Sequence, residues 1–218
     1  ICTERFWALP AHVNFDALDE KTIDLFAAET AQSLLEIVDI LGDKLPAQTV
    51  ERVVCEVTDR VIVPFVTSTV PYSWWEQDRC NWAAVCAGSV GMAAIYLSHW
   101  YEKRQQPKDE RLPEDWKQSI IGRVCDALQC YLDGMEEDGA CTEGLGYFAY
   151  GMSYYTGFAQ ALYQETKGSI DLMKKPKCEK IALFQQKCYF GGGVSVSFSD
   201  GSSHETFLPG LTSYLKHC

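Results

Sequence analysis

Two stretches collect most of the side chains with which this chain could do chemistry. "YSWWEQDRCNW", residues 72–82, gathers Trp74, Trp75, Trp82, Arg79 and Asn81. "DGACTEGLGYFAYG", residues 138–151, gathers Asp138, Glu143, Tyr147 and Tyr150. Each precedes a run with helical periodicity, so an array of antiparallel helix pairs would open both on one face. Two carboxylates such as Glu143 and Asp138 suit an inverting glycoside hydrolase, which holds its acid and base about 6.5–9.5 Å apart. The plainer assignments stay open beside this one. Asp138 before Gly139 is a turn signal, Asn81 is a good cap for the helix it opens, and the aromatics can pack as core.

Other chemistries find no support. His204 in "GSSHETF" and the pair His217–Cys218 lack partners at metal-ligand spacing, and no CxxC pair occurs, so no metal and no cofactor are expected. His12 and His99 read as structural. "GGG" at 191–193 follows a helix and precedes a strand, the reverse of a phosphate-binding order. The formal charge is −11, and the longest basic run, "MKKPKCEK", reads as a solvated loop, which excludes nucleic acid as a partner and makes a densely sulfated polyanion awkward. No apolar stretch is expected to reach the length of a membrane helix without charge. The ten cysteines, among them Cys55 and Cys125 on apolar helical faces, read as buried free thiols, which favours a reducing cytoplasm slightly.

Helices must position the two stretches. "TIDLFAAETAQSLLEIVDILGD" repeats apolar residues at helical spacing and stops at Gly42. "QTVERVVCEVTDRVIVPF" puts Val50, Val53, Val54, Val57 and Val61 on one stripe, with Pro64 ending or kinking it. After Asn81, small residues including Ala84, Gly88, Ser89 and Ala93 allow a neighbouring helix close. "WKQSIIGRVCDALQCYLDGMEEDG" shows Ile120, Val124, Leu128, Tyr131 and Met135 on one face. "GMSYYTGFAQALYQETKG", "KCEKIALFQQKCYF" and "LTSYLKHC" supply the remaining helices. Only at "GGGVSVSFSDG" does the period change to two, predicting a short hairpin that turns at Asp200–Gly201. The class is all-α: layered antiparallel helix pairs with almost no sheet.

The pairing of "NWAAVCAGSVGMAAIYL" with "DGACTEGLGYFAYG" resembles the α/α-toroid domain of the heparinase II/III-like polysaccharide lyases. "WALPAHVN…IDLFAAETA" upstream and "GGVSVSFSDGS…LPGLTSYL" downstream fit the same domain, so the resemblance spans nearly the whole chain. It implies an incomplete toroid over 1–218, a single domain of a longer chain whose β-rich C-terminal domain is absent. It also implies β-elimination on a uronic-acid polysaccharide. Asn81 then matches the carboxylate-neutralising asparagine, whose amide donates without bringing negative charge. Tyr147, with Tyr150 close behind, matches the tyrosine that moves the proton. Glu143 matches a glutamate that orients the site. Trp74, Trp75 and Trp82 would stack on sugar rings, and Arg79 would pair with an acidic polysaccharide or oligosaccharide. Two departures stand out: some relatives place histidine where this chain has Trp82, and they draw another from the following β-rich domain. A non-catalytic carbohydrate-binding or scaffold toroid is therefore the alternative function, and the hydrolase the second alternative. A partial ring exposes helix faces, which allows a homodimer. Relatives are often exported, against the cytoplasmic hint of the cysteines, so localisation stays open, and no membrane is expected as a partner.

Overall fold

A computed structural model of the chain describes residues 1–13 and 22–216. The protein is mostly helical, with antiparallel helix packing and one small two-stranded antiparallel sheet near the C-terminus. Its helices are α1 (Leu25–Leu41), α2 (Ala47–Val57), α3 (Val63–Thr67), α4 (Asn81–Arg104), α5 (Trp116–Asp133), α6 (Leu145–Glu165), α7 (Pro176–Ala182), α8 (Phe184–Lys187) and α9 (Pro209–Lys216).

α4 is the centre. It packs against α1, α5 and α6. Along α4 and α6 the touching positions rise together: Asn81 meets Glu143, Gly88 meets Tyr154, Gly91 meets Phe158, and His99 meets Glu165. These two helices therefore run in the same direction. α1 shares it, because Asp39 and Asp43 near its end meet Lys103 and Arg104 at the end of α4. α5 runs the other way, with Val124 on Gly91 and Trp116 on Tyr101. One row of parallel helices, α1–α4–α6, is thus backed by antiparallel α2 and α5. The starts of all three parallel helices lie at one end of the molecule.

Small residues set the spacing. A Cβ on Gly88 would stand 2.8 Å from the Tyr154 carbonyl oxygen, and one on Gly91 would stand 2.4 Å from the Phe158 ring. The flank of small side chains expected from the sequence is what lets α6 lie so close. α4 is also, by length and composition, apolar enough to cross a membrane, contrary to the sequence expectation: no charge falls between Asn81 and Tyr101. In the fold, 83% of its most apolar window is buried by other helices. A helix buried on all sides has the composition of a membrane span for the same reason, since both meet no water.

The valine stripe of α2 is buried as expected, but Pro64 neither ends nor breaks the helical path. A π-helical segment, Thr58–Ile62, links α2 to α3. There Val63 N–H reaches back five residues to the Thr58 carbonyl, and this wider turn makes room for the proline ring that follows. A short 3₁₀ turn, Trp74–Gln77, follows and anchors on α5. There buried Glu76 receives Arg123 Nε at 2.7 Å and Nη2 at 2.8 Å, Tyr72 N–H donates to the same carboxylate, and Arg123 also donates to the Phe65 carbonyl.

The sheet corrects the expected hairpin. β1 (Tyr189–Gly191) pairs with β2 (Val194–Ser195) around Gly191–Gly193, and all three glycines have positive φ. That turn falls to glycine because other residues resist such φ values. Ser195 is buried while Val194 is exposed. The chain does turn again at 198–201, where Gly201 N–H reaches the Phe198 carbonyl.

Candidate functional site

The end where α1, α4 and α6 begin holds most of the expected site. Asn81 opens α4 and is 3% exposed. Its backbone N–H donates to Glu143 Oε2 at 2.8 Å and its side-chain Nδ2 to Oε1 at 2.7 Å. The glutamate just before α6 therefore caps α4 across the helix pair, satisfying a donor that the helix itself leaves free. Asn81 Oδ1 is buried with no hydrogen-bond partner among the described residues. The capping expected of Asn81 is thus inverted. Asn81 is the first helical residue, and its amide is a donor to Glu143 rather than an acceptor.

Tyr147 and Tyr150 lie on α6, not in a loop, because the helix starts six residues earlier than its apolar repeat suggests. Tyr147 is 39% exposed and its hydroxyl makes no hydrogen bond among the described residues. Tyr150 is held differently. Its hydroxyl donates to Glu29 Oε1 at 2.9 Å, and Tyr154 donates to the same oxygen at 2.5 Å. Glu29 reaches across α4 from α1 to receive both, so the three helices close over one face of α4. Burial first, and then Glu29, raise both phenols above their ordinary range. Tyr150 therefore stays protonated and held by Glu29, a partner that Tyr147 lacks.

That cluster has a titration consequence. A tyrosine with a raised folded pKa contributes stability that is complete below about pH 10 and is lost as pH rises toward the folded value. Alkaline titration followed by phenolate absorbance should therefore show Tyr150 and Tyr154 ionising only after the exposed tyrosines. Tyr96, Tyr101, Tyr131 and Tyr155 are raised by burial too, so the double variant Tyr150→Phe, Tyr154→Phe should shrink that late component by two phenols; an unchanged late amplitude would contradict the assignment.

The three expected sugar-stacking tryptophans separate. Trp75 is a core residue and is corrected accordingly: it is fully buried, stacks on Phe65 at 6.0 Å, and donates Nε1–H to the Ile23 carbonyl. Trp74 is 55% exposed, and its ring centroid lies 5.1 Å from that of half-buried Trp82. The two rings are tilted by 43° to each other and form an apolar corner beside the start of α4. Neighbouring tryptophans have the same sequence signature, and only the fold shows which one faces inward.

Arg79 sits at the rim of a cleft of about 490 Å³ lined also by Glu143, Asp78, Asp133, Glu136 and Lys177. Carboxylates outnumber cations there, so the cleft repels an acidic sugar rather than drawing it to Arg79. Glu143 and Asp138, the two carboxylates of the hydrolase alternative, each have a partner of their own. Glu143 is taken by Asn81, and exposed Asp138 folds its carboxylate onto Ala140 N–H at 3.0 Å in a turn. The described cysteines are free thiols, but Cys55 is exposed, because it lies opposite the valine stripe of α2. Beside the site, burial pushes the Cys80 thiol up to about 12, and Asp78 and Glu143 add to the rise. Among the described residues no group of three acidic, histidine or cysteine side chains is arranged to hold a metal.

His12, read as structural from the sequence, stands at the same end. Its Nδ1 lies 2.7 Å from Asp24 Oδ2, and its ring meets Trp82 edge-on at 5.1 Å. Asp24 caps α1 through Ala27 N–H. Glu29 and Tyr154 were likewise missed, because nothing in their local sequence marks a contact across three helices.

No protein-family model matches the chain, and no curated protein matches it.

Proposed function

We propose that the chain is the α/α-toroid part of a heparinase II/III-like protein, and that the polypeptide carrying it cleaves a uronate-containing polysaccharide by β-elimination. The observation that carries this reading is the two-point contact between Asn81 and Glu143. It joins the first turns of α4 and α6 and so supports one catalytic end with Asn81, Glu143 and Tyr147. The row of parallel helices backed by antiparallel ones is the arrangement that a ring of helix pairs repeats. In this reading the substrate carboxylate displaces Glu143 and takes the Asn81 amide, which lowers the barrier to removing the adjacent proton. Tyr147 delivers a proton to the leaving oxygen, and it takes the carbon-bound proton where no other base faces it. Trp74 and Trp82 hold the sugar.

A non-catalytic carbohydrate-binding toroid is the second reading. The hold of Glu143 on the Asn81 amide and the carboxylates beside Arg79 favour it.

Product chemistry separates the two. The polypeptide carrying the chain, not the chain alone, would be incubated with alginate, hyaluronan and polygalacturonate while ultraviolet absorbance is followed for the new carbon–carbon double bond. An increase that Asn81→Ala and Tyr147→Phe each reduce by at least about 100-fold is expected for groups acting in the transition state. Binding without an increase would favour the second reading. New reducing ends without a double bond would mean hydrolysis and would overturn both.

A further inference from the structure

We propose that the groove lined by α7, α8 and α9 binds an amphipathic carboxylate, a small molecule with one anionic head and one aliphatic tail. This does not rest on the elimination reading. The groove shares no lining residue with the cleft around Arg79, and Asn81, Glu143 and Tyr147 are not among the residues that line it.

The walls suit a tail. The cavity holds about 990 Å³, at the upper end of the roughly 300–1,000 Å³ of small-molecule sites. α9 packs on α6, and the Thr212 hydroxyl on α9 ties it to α8 by donating to Gln185 Oε1 at 3.1 Å. Met173, Ala182, Leu183 and Leu215 line the space between. Tyr189 and Phe207, whose rings lie 5.2 Å apart, add an aromatic stretch of wall. Leu183 is 47% exposed and Tyr189 40%, so a tail lying on them would remove apolar surface from water at both.

Gln185 marks a place for a polar atom. It is 5% exposed and lines the groove, and its Nε2 has no hydrogen-bond partner among the described residues. A buried amide donor left unpaired is costly, and folded proteins rarely keep one without a use for it. A ligand oxygen beside Gln185 would remove that cost.

Charge names the head. Lys174, Lys175 and Lys216 line the groove against the one carboxylate of Glu179. That balance is the reverse of the cleft around Arg79 and of the chain as a whole. Lys175 already donates to Gln129. Lys174 is 80% exposed, and its partner Asp171 Oδ2 stands 3.7 Å away, beyond hydrogen-bond distance. Lys216 is exposed as well. The flexible stems of Lys174 and Lys216 let both ammonium groups turn to a head at the rim. A sugar chain would need more hydrogen-bonding partners than these apolar walls supply.

The test titrates decanoate, below its micelle concentration, into the polypeptide carrying the chain and follows the heat of binding. Decyltrimethylammonium, with the same tail and the opposite charge, is the control. Decanoate should bind at least about tenfold more tightly than the cation, and less tightly as salt is added. Gln185→Met keeps the unbranched shape without the donor and should weaken decanoate about tenfold. The double variant Lys174→Ala, Lys216→Ala should weaken it about threefold or more. Equal binding of the two probes, or wild-type affinity for decanoate in either variant at wild-type thermal stability, overturns the proposal. Should Gln185→Met unfold, the lysine variant decides alone, since both its side chains are exposed. Sedimentation with phosphatidylglycerol vesicles but no binding of decanoate would mean a membrane surface as the partner and would likewise overturn it.

Discussion

Replacing Arg123 with alanine should cost this protein about 3–5 kcal/mol, enough to lower the melting temperature by roughly 10 °C. Glu76 is buried and would lose both guanidinium bonds, leaving a carboxylate with only the Tyr72 N–H as a partner in the contacts described. Arg123 also covers the Phe65 ring at 4.1 Å and ties the Phe65 carbonyl, so the turn containing Trp74 and Trp75 would lose its fastening to α5. Replacing both partners with apolar residues of similar size should cost much less, because no unpaired charge would remain. Thermal unfolding of Arg123→Ala beside the double variant Arg123→Met, Glu76→Leu measures this. Equal destabilisation in the two would mean that lost packing, not the stranded charge, sets the cost.

The second large effect is expected at the α4–α6 contact. Gly88→Ala would place a methyl group 2.8 Å from the Tyr154 carbonyl oxygen and 3.1 Å from its carbon. The obstacle is backbone, so the helices have to separate, at a cost of about 1–3 kcal/mol. The same shift would move Glu143 away from Asn81 and pull Tyr154 from Glu29. Stability and site geometry should therefore fail together. The variant should bind or cleave the three polysaccharides less well even at a temperature where it is fully folded. By contrast Gly122→Ala, on α5 with open space around it, should be neutral or slightly stabilising. Chemical unfolding and site assays on the two variants give the comparison, and normal site behaviour in folded Gly88→Ala would break the proposed link.

How much of this was legible beforehand depended on whether the information was local. The apolar periods of α1 and α5, and the small-residue flank of α4, report burial on one molecule-wide core, and they were readable. Of the two outcomes expected at Pro64, an end or a kink, the helix does not end there, and the widening of the neighbouring turn was not legible in the sequence. The hairpin was placed at Asp200–Gly201 because alternating valines outweighed three glycines, yet the glycines supply the positive φ the turn needs. At the site, Asn81 and Glu143 were singled out separately, and their contact spans a separation of 62 residues. The contact between His12 and Asp24 was invisible for a similar reason. His12 and Asp24 look ordinary until the fold brings a 3₁₀ turn against a helix start.

The shared direction of α1, α4 and α6 has an electrostatic consequence. Each peptide unit carries a dipole along its helix axis, and a long helix acts as if about half a positive charge stood at its start. Three such starts gather at the end that holds Asn81, His12 and Tyr147. Asp24 and Glu143, the anions hydrogen-bonded to the first turns of α1 and α4, each occupy one of these ends. A ligand carboxylate arriving in place of Glu143 would inherit the same field. In a chain of net charge −11, the helix starts thereby offset part of the repulsion from the carboxylates around Arg79, and it is the chain's own Asp24 and Glu143 that use this field.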